Sequence, residues 1–263
     1  MSHPRGIPNT LKDFYLELKT GHIPGYAIVH KFGRSTSIAN NVWSLVSSAA
    51  TSGAFLSVPS TVRIKAGGDA ADTFNGAGAR EITIVGIDDT LNEVTETITT
   101  SGALASADTT AVFWRVYRAY VSSAGTYGGN NEADIDIENS SDMISILAGA
   151  GQTQHAAYSI PADKRGYILS VHVSVDSTKP ADLRIFTREN FNDVVAPFSA
   201  KRIQHSWDGI TGEVGHDPKS PDIELAALTD IWIEARGGGQ STEVAADFEI
   251  LLVDDDPGHL TNL

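Results

Sequence analysis

Between Ala79 and Gly102 the chain alternates with period two. Ile82 and Ile84 fall on one side and Thr83 and Val85 on the other. After the polar turn Asp88-Asp89-Thr90, a row of Thr95, Thr97 and Thr99 stands opposite Val94 and Ile98. β-Branched residues in alternation around a short polar turn specify an antiparallel hairpin with one face buried and one face wet. The same device recurs along the chain. Trp114, Val116, Arg118 and Tyr120 alternate with Phe113, Arg115, Tyr117 and Ala119; Ile135 and Ile137 alternate with Asp134, Asp136 and Glu138; Leu169, Val171, Val173 and Val175 alternate with Ser170, His172 and Ser174. This periodicity predicts an all-β protein.

The pattern pauses at Gly149-Ala150-Gly151 and then restarts, so two β-sandwich or jelly-roll-like modules are expected over 26–148 and 152–255. A polar tail is expected over 256–263, and an N-terminal arm over 1–25. Within the arm, Thr10 to Lys19 reads as a short helix capped by Asn9 or Thr10 and stopped by Gly21. Leu11, Tyr15 and Leu18 share a face of that helix, with Phe14 beside them. A helix of about ten residues is marginal alone in water and must dock. It docks either on its own domain or, as an arm, on a neighbouring subunit.

Composition narrows the function classes. The chain carries 33 acidic against 19 basic residues, a net charge of −14. A surface this acidic repels the phosphates of nucleic acid and anionic lipid headgroups, so neither nucleic acid nor membrane is an expected partner. There are no cysteines, which excludes disulfides, thiolate metal ligation and thiol nucleophiles. No apolar run has the roughly 20 residues of a membrane span. The N-terminal stretch lacks a signal-peptide core, so synthesis in a cytoplasm without export by that route is expected.

Motifs with chemistry are few. Gly76-Ala77-Gly78 and Gly237-Gly238-Gly239 lack the third glycine of a dinucleotide fingerprint or the lysine of a phosphate loop, and both lead into strands. No Gly-x-Ser-x-Gly elbow occurs, and the eight histidines show no metal-ligand spacing. Asp134, Asp136 and Glu138 on one strand face read as a solvated polar face before a calcium site. No catalytic, cofactor or metal residues are assigned, and the chain reads as non-enzymatic. Among Trp43, Trp207 and Trp232, the loop-like Trp207-Asp208-Gly209 makes Trp207 the candidate glycan contact.

Three segments carry a resemblance. Gly21 to Arg34 (GHIPGYAIVHKFGR) matches a G-x-x-P-G-x-x-x-x-H-K-F-G pattern, Gly78 to Asp88 (GAREITIVGID) matches GAR-x-[VI]-T-I-x-G-[LI]-D, and Tyr158 to Ala162 (YSIPA) matches Y-[ST]-[IV]-P-x before a long strand. With these segments the chain resembles a group of tailed-bacteriophage virion structural proteins common in marine and environmental phages. The resemblance implies a virion structural component synthesised in the host cytoplasm, and the outer surface of the particle is the location that the foremost reading expects. The foremost reading is a capsid decoration (cement) protein that contacts the major capsid protein and forms a homo-oligomer, a trimer or dimer. A tail, baseplate or fibre-adaptor protein is the alternative within the particle. A carbohydrate-binding receptor-recognition module is the alternative outside that class. In the decoration reading, the docking arm is Leu11, Phe14, Tyr15 and Leu18.

Overall fold

The computed structural model describes residues 14–48, 55–65, 69–217 and 223–255. Leu11 and the expected 256–263 tail lie outside the described residues. Among the described residues one short helix, α1 (Phe14–Lys19), precedes seventeen strands. Gly21, at φ +73°, ends the helix as expected, with its N–H donating to the Leu18 carbonyl and the His22 N–H donating to the Glu17 carbonyl. Leu18 is 3% exposed and anchors the helix on its own body, while Tyr15, expected on the same face, is 51% exposed. Lys19 adds an ion pair to Glu249.

Two pairs of sheets account for the architecture, which is all-β and sandwich-like. Sheet I has the order β1 (Tyr26–Ile38), β17 (Thr242–Asp254), β11 (Lys164–Val175), β14 (Gly212–His216), with β15 (Glu224–Leu225) also on β11. Sheet II has the order β10 (Ala157–Ser159), β16 (Asp230–Gly237), β12 (Ala181–Arg188), β13 (Arg202–Ile210), with β2 (Ser44–Leu45) also on β16. Their facing rows, Val171, Val173, Phe248 and Ile250 against Leu183, Ile185, Ile231 and Ile233, form the larger core. Sheet III joins β3 (Phe55–Ser60), β7 (Phe113–Ala124), β5 (Ala79–Asp88) and β6 (Glu93–Thr99). Sheet IV joins β4 (Arg63–Ile64), β8 (Ile135–Glu138) and β9 (Asp142–Ile146). Ile82, Ile84, Phe113 and Val116 meet Ile64, Ile137, Ile144 and Ile146 in the second core.

Three sequence expectations need correction. Strands β1 and β2, expected in the 26–148 module, are hydrogen-bonded into the C-terminal sheets: Tyr26 lies opposite Val253, and Leu45 opposite Glu234. Local alternation specifies a strand and says nothing about its distant partner.

The opening hairpin is not half-wet on β5. Ile82 and Ile84 enter the second core, while Ile87 enters the larger core with Trp114 and Tyr117 of β7. Sheet III is covered on both faces where it meets the C-terminal sandwich. That burial contributes about 1.5–3 kcal/mol for each large apolar side chain.

Trp207-Asp208-Gly209, expected on a loop, lies within the strand β13 (Arg202–Ile210). Its inward residues, His205, Trp207 and Ile210, are interrupted by polar and glycine residues that mask the period.

Candidate functional site: a buried polar joint

The densest set of chemically capable side chains lies where β1, β7 and β10 converge. Lys31 comes from the H-K-F-G stretch of β1, Tyr117 from β7, Tyr158 from the Y-S-I-P stretch of β10, and His155 from the segment just before it. Gly33 permits the convergence: a Cβ there would sit 2.2 Å from the Val46 carbonyl oxygen and 2.4 Å from the Ala156 nitrogen. Gly86 does the same for β5 against β7, where a Cβ would stand 1.9 Å from the Arg115 carbonyl oxygen. Both conserve space that any side chain would fill.

Lys31 Nζ donates to the Tyr117 carbonyl at 2.6 Å and lies 4.9 Å from the Tyr117 ring centre. Burial, reinforced by Arg118 and opposed by Glu93, lowers its pKa to about 7. The Tyr117 and Tyr158 rings pack at 4.7 Å, and their hydroxyls donate to Glu93 Oε2 at 2.6 and 3.3 Å. Burial first, with Glu93 contributing, raises both phenols well above their usual range. His155 Nδ1 is 3.0 Å from Ser47 Oγ, and burial together with Lys31 lowers its pKa to about 3.

Beside this cluster runs a second one. Arg115 meets Asp230 through Nε at 2.9 Å and Nη2 at 3.0 Å. Ser159 Oγ donates to the same carboxylate at 2.7 Å and Arg188 Nη2 at 2.9 Å. The remaining Arg115 donors go to the carbonyls of Leu56, Trp114 and Phe191. Every lone pair and proton has a partner, as a buried ion pair requires. Both clusters connect β7 of the N-terminal half to β10, β16 or β1 of the C-terminal sandwich. Their chemistry is that of a joint, with Glu93 as its exposed rim.

The residues singled out from the sequence fall elsewhere. Trp207, expected on a loop, lies inside β13 at 9% exposure, with its ring 4.4 Å from that of His205. Trp232 is buried, stacks on Phe186 and donates to Glu234. Trp43 remains partly exposed on the outer face of sheet II. Phe14 opens α1; Tyr15 and Leu18, three residues apart on neighbouring positions of the helix surface, differ in that Leu18 is buried and Tyr15 exposed. The Asp134, Asp136 and Glu138 carboxylates bond the Ala148 N–H, the Ser145 hydroxyl and Arg63, and no cluster suited to a metal ion occurs among the described residues. An open depression of about 400 Å³ on sheet I is lined by His172, Glu213 and Asp247, with His172 3.4 Å from Asp217 and 3.6 Å from Asp247.

The joint was missed in the sequence because Lys31 and Arg115 look like the solvated members of alternating strands. The available signal was a charged residue on a strand whose neighbours on both sides are apolar, as in Phe113-Trp114-Arg115-Val116-Tyr117.

No protein-family model and no curated protein matches the chain. Among solved structures it is similar to the infectious bursal disease virus VP2 subviral particle, at 12% identity, over 90% of this chain and 70% of that one, with a TM-score of 0.25. It is also similar to the structure of the Gt strain of the same virus, at 7% identity over 90% and 82%, with a TM-score of 0.19. At these TM-scores the overlays establish neither a shared fold nor a shared role. No helix among the described residues is long and apolar enough to cross a membrane.

Proposed function

We propose that the chain is a non-enzymatic structural component of a tailed-phage particle, bound to the outside of the head as a decoration protein. One observation carries this reading beyond the sequence resemblance. The connection from β12 to β13 holds Val194, Val195 and Phe198 exposed, and Ile203 follows them, exposed, on β13. Four large apolar side chains within ten residues, on a strongly acidic body, make the kind of patch that marks an interaction site. The body behind the patch is tied together by the buried joint, so load applied at one sandwich is transmitted to the other. Strength of this kind suits a protein that braces a shell.

The test is co-sedimentation of the chain with undecorated phage heads. Wild-type protein binds to saturation at a copy number in the hundreds, whereas Val195→Asp with Phe198→Ser stays in the supernatant while keeping its thermal transition. Saturation at a few to a few dozen copies favours a tail or baseplate position. No binding of wild-type protein to any part of the particle overturns the reading.

A further inference from the structure

Arg184 is the anomaly of this molecule. It is the one described lysine or arginine whose charged group donates no hydrogen bond to a described residue, and its Nε is buried without an acceptor. Acidic residues outnumber basic ones here by 33 to 19, so an arginine that interacts with a carboxylate, Asp182, only through space and is hydrogen-bonded to none is unexpected.

The strand register explains how this arises. On the outer face of sheet II, Arg184 of β12 stands between Ser206 of β13 and Glu234 of β16. Glu234 is committed to Lys201 and to the Trp232 indole N–H. The next carboxylate along β12, Asp182, is committed to Arg236 and to the Gly209 N–H. Both acids within reach are thus taken.

What Arg184 has instead is an indole. The chain leaves β1 through Asn41, at φ +59°, whose N–H donates to the Gly237 carbonyl, and so delivers Trp43 to the edge of β16. The Trp43 ring centre lies 4.2 Å from the Arg184 guanidinium carbon and 5.0 Å from that of Arg236. Trp43 is itself partly exposed; Ser206, opposite Arg184 on β13, and Asp208, two residues further along that strand, are exposed.

We propose that Trp43 and Arg184 form a binding site for a carboxylated saccharide, a hexuronate or sialate unit. The carboxylate bonds the two terminal Nη groups of Arg184, which donate to no described residue, in the forked geometry that guanidinium groups favour; the buried Nε faces the protein and takes no part. The C–H face of the pyranose lies on the indole, which presents a large apolar surface with little rotamer entropy to lose. Ser206 and Asp208 offer a hydroxyl and a carboxylate to the sugar hydroxyls. A single carboxylate is the anion that fits, because Asp182, Glu234 and Asp208 surround the site and repel a polyanion such as nucleic acid. An acidic peptide meets the same repulsion and leaves the indole unused. The site stands independently of the virion reading.

The test is calorimetric titration of the full-length protein with methyl galacturonoside and with sialyllactose, each bearing one carboxylate, against the methyl ester of the galacturonoside and neutral lactose as controls. At least one of the two acidic sugars binds saturably with one site per chain, and its neutral counterpart does not. Arg184→Met and Trp43→Ala weaken binding by roughly tenfold or more, as loss of a charge-assisted fork or of the stacking surface requires. Arg202→Gln, whose parent side chain is paired with Glu189, leaves binding unchanged. The ester control needs no substitution and holds if a variant folds poorly. Saturable binding of neither acidic sugar, equal affinity for the ester, wild-type affinity in Arg184→Met, or equal competition by an Asp-Glu hexapeptide overturns the proposal.

Discussion

Arg115 and Asp230 form a two-pronged ion pair at 2.9 and 3.0 Å between the halves of the molecule, with side chains 2% and 0% exposed. The pair is isolated from water, and each partner's remaining hydrogen-bonding capacity is used. Removal of Asp230 therefore strands the buried Arg115 guanidinium, whereas removal of Arg115 leaves the Asp230 carboxylate with Arg188 as its remaining cation.

Asp230→Leu should destabilise the protein by about 3–5 kcal/mol, because it leaves the Arg115 charge buried and uncompensated, and Arg115→Met should cost less, because Asp230 keeps Arg188. The double variant should recover part of the loss, though Arg188 still faces the vacated position. Denaturant unfolding of the four proteins in a double-mutant cycle measures this. Strictly additive losses would contradict a direct coupling.

His155 makes the protein sensitive to acid. Its pKa in the folded state is about 3 against the ordinary 6.5, so the unfolded chain binds the extra proton between those values. Stability is therefore intact above about pH 6.5 and is lost as pH falls toward 3, by up to roughly 3–5 kcal/mol from this group. His155→Gln should flatten that part of the stability profile, as followed by thermal unfolding at a series of pH values.

Lys31 acts in the alkaline direction. Its folded pKa of about 7 lies below the ordinary 10.5, so the unfolded state again binds more protons, now between pH 7 and 10.5. Its burial cost is fully present below pH 7 and is relieved as pH rises. Lys31→Met should show its largest gain relative to wild type near pH 7, with the gap closing by about 3–5 kcal/mol toward pH 10. A gap independent of pH would show that Lys31 is not the titrating group.

Gly33→Ala and Gly86→Ala should each cost more than about 2 kcal/mol, since the added Cβ meets backbone atoms that cannot give way. Gly128→Ala has nothing within 4 Å of its Cβ, and its cost should be limited to the strain of its positive φ. Comparative unfolding of the three variants separates close packing from backbone preference.

Much of the fold was legible in the sequence, and particular residues show why the rest was not. Ile82, Ile84, Val94 and Ile98 announce their hairpin because adjacent strands pair through a local turn. The partnership of Tyr26 with Val253 spans nearly the whole chain, and no local pattern encodes it. Trp207-Asp208-Gly209 looked like a loop because Ser206, Asp208 and Gly209 interrupt the apolar row of β13. The joint was legible only as motif residues without a role. Lys31, Gly33, Gly86 and Tyr158 belong to the segments that carried the phage resemblance, and in the structure they form or permit the contacts between sheets. Trp207 and Trp43 exchanged places: the apparent loop tryptophan is core, and the one beside a short edge strand faces outward.

The central claim is that this chain is a building part of a phage particle. Its most direct test is the location and copy number of the chain in phage particles purified from a lysate that contains it, by cryo-electron microscopy with quantitative mass spectrometry. The account predicts hundreds of copies on the outer surface of the head. Absence of the chain from the purified particle would contradict it.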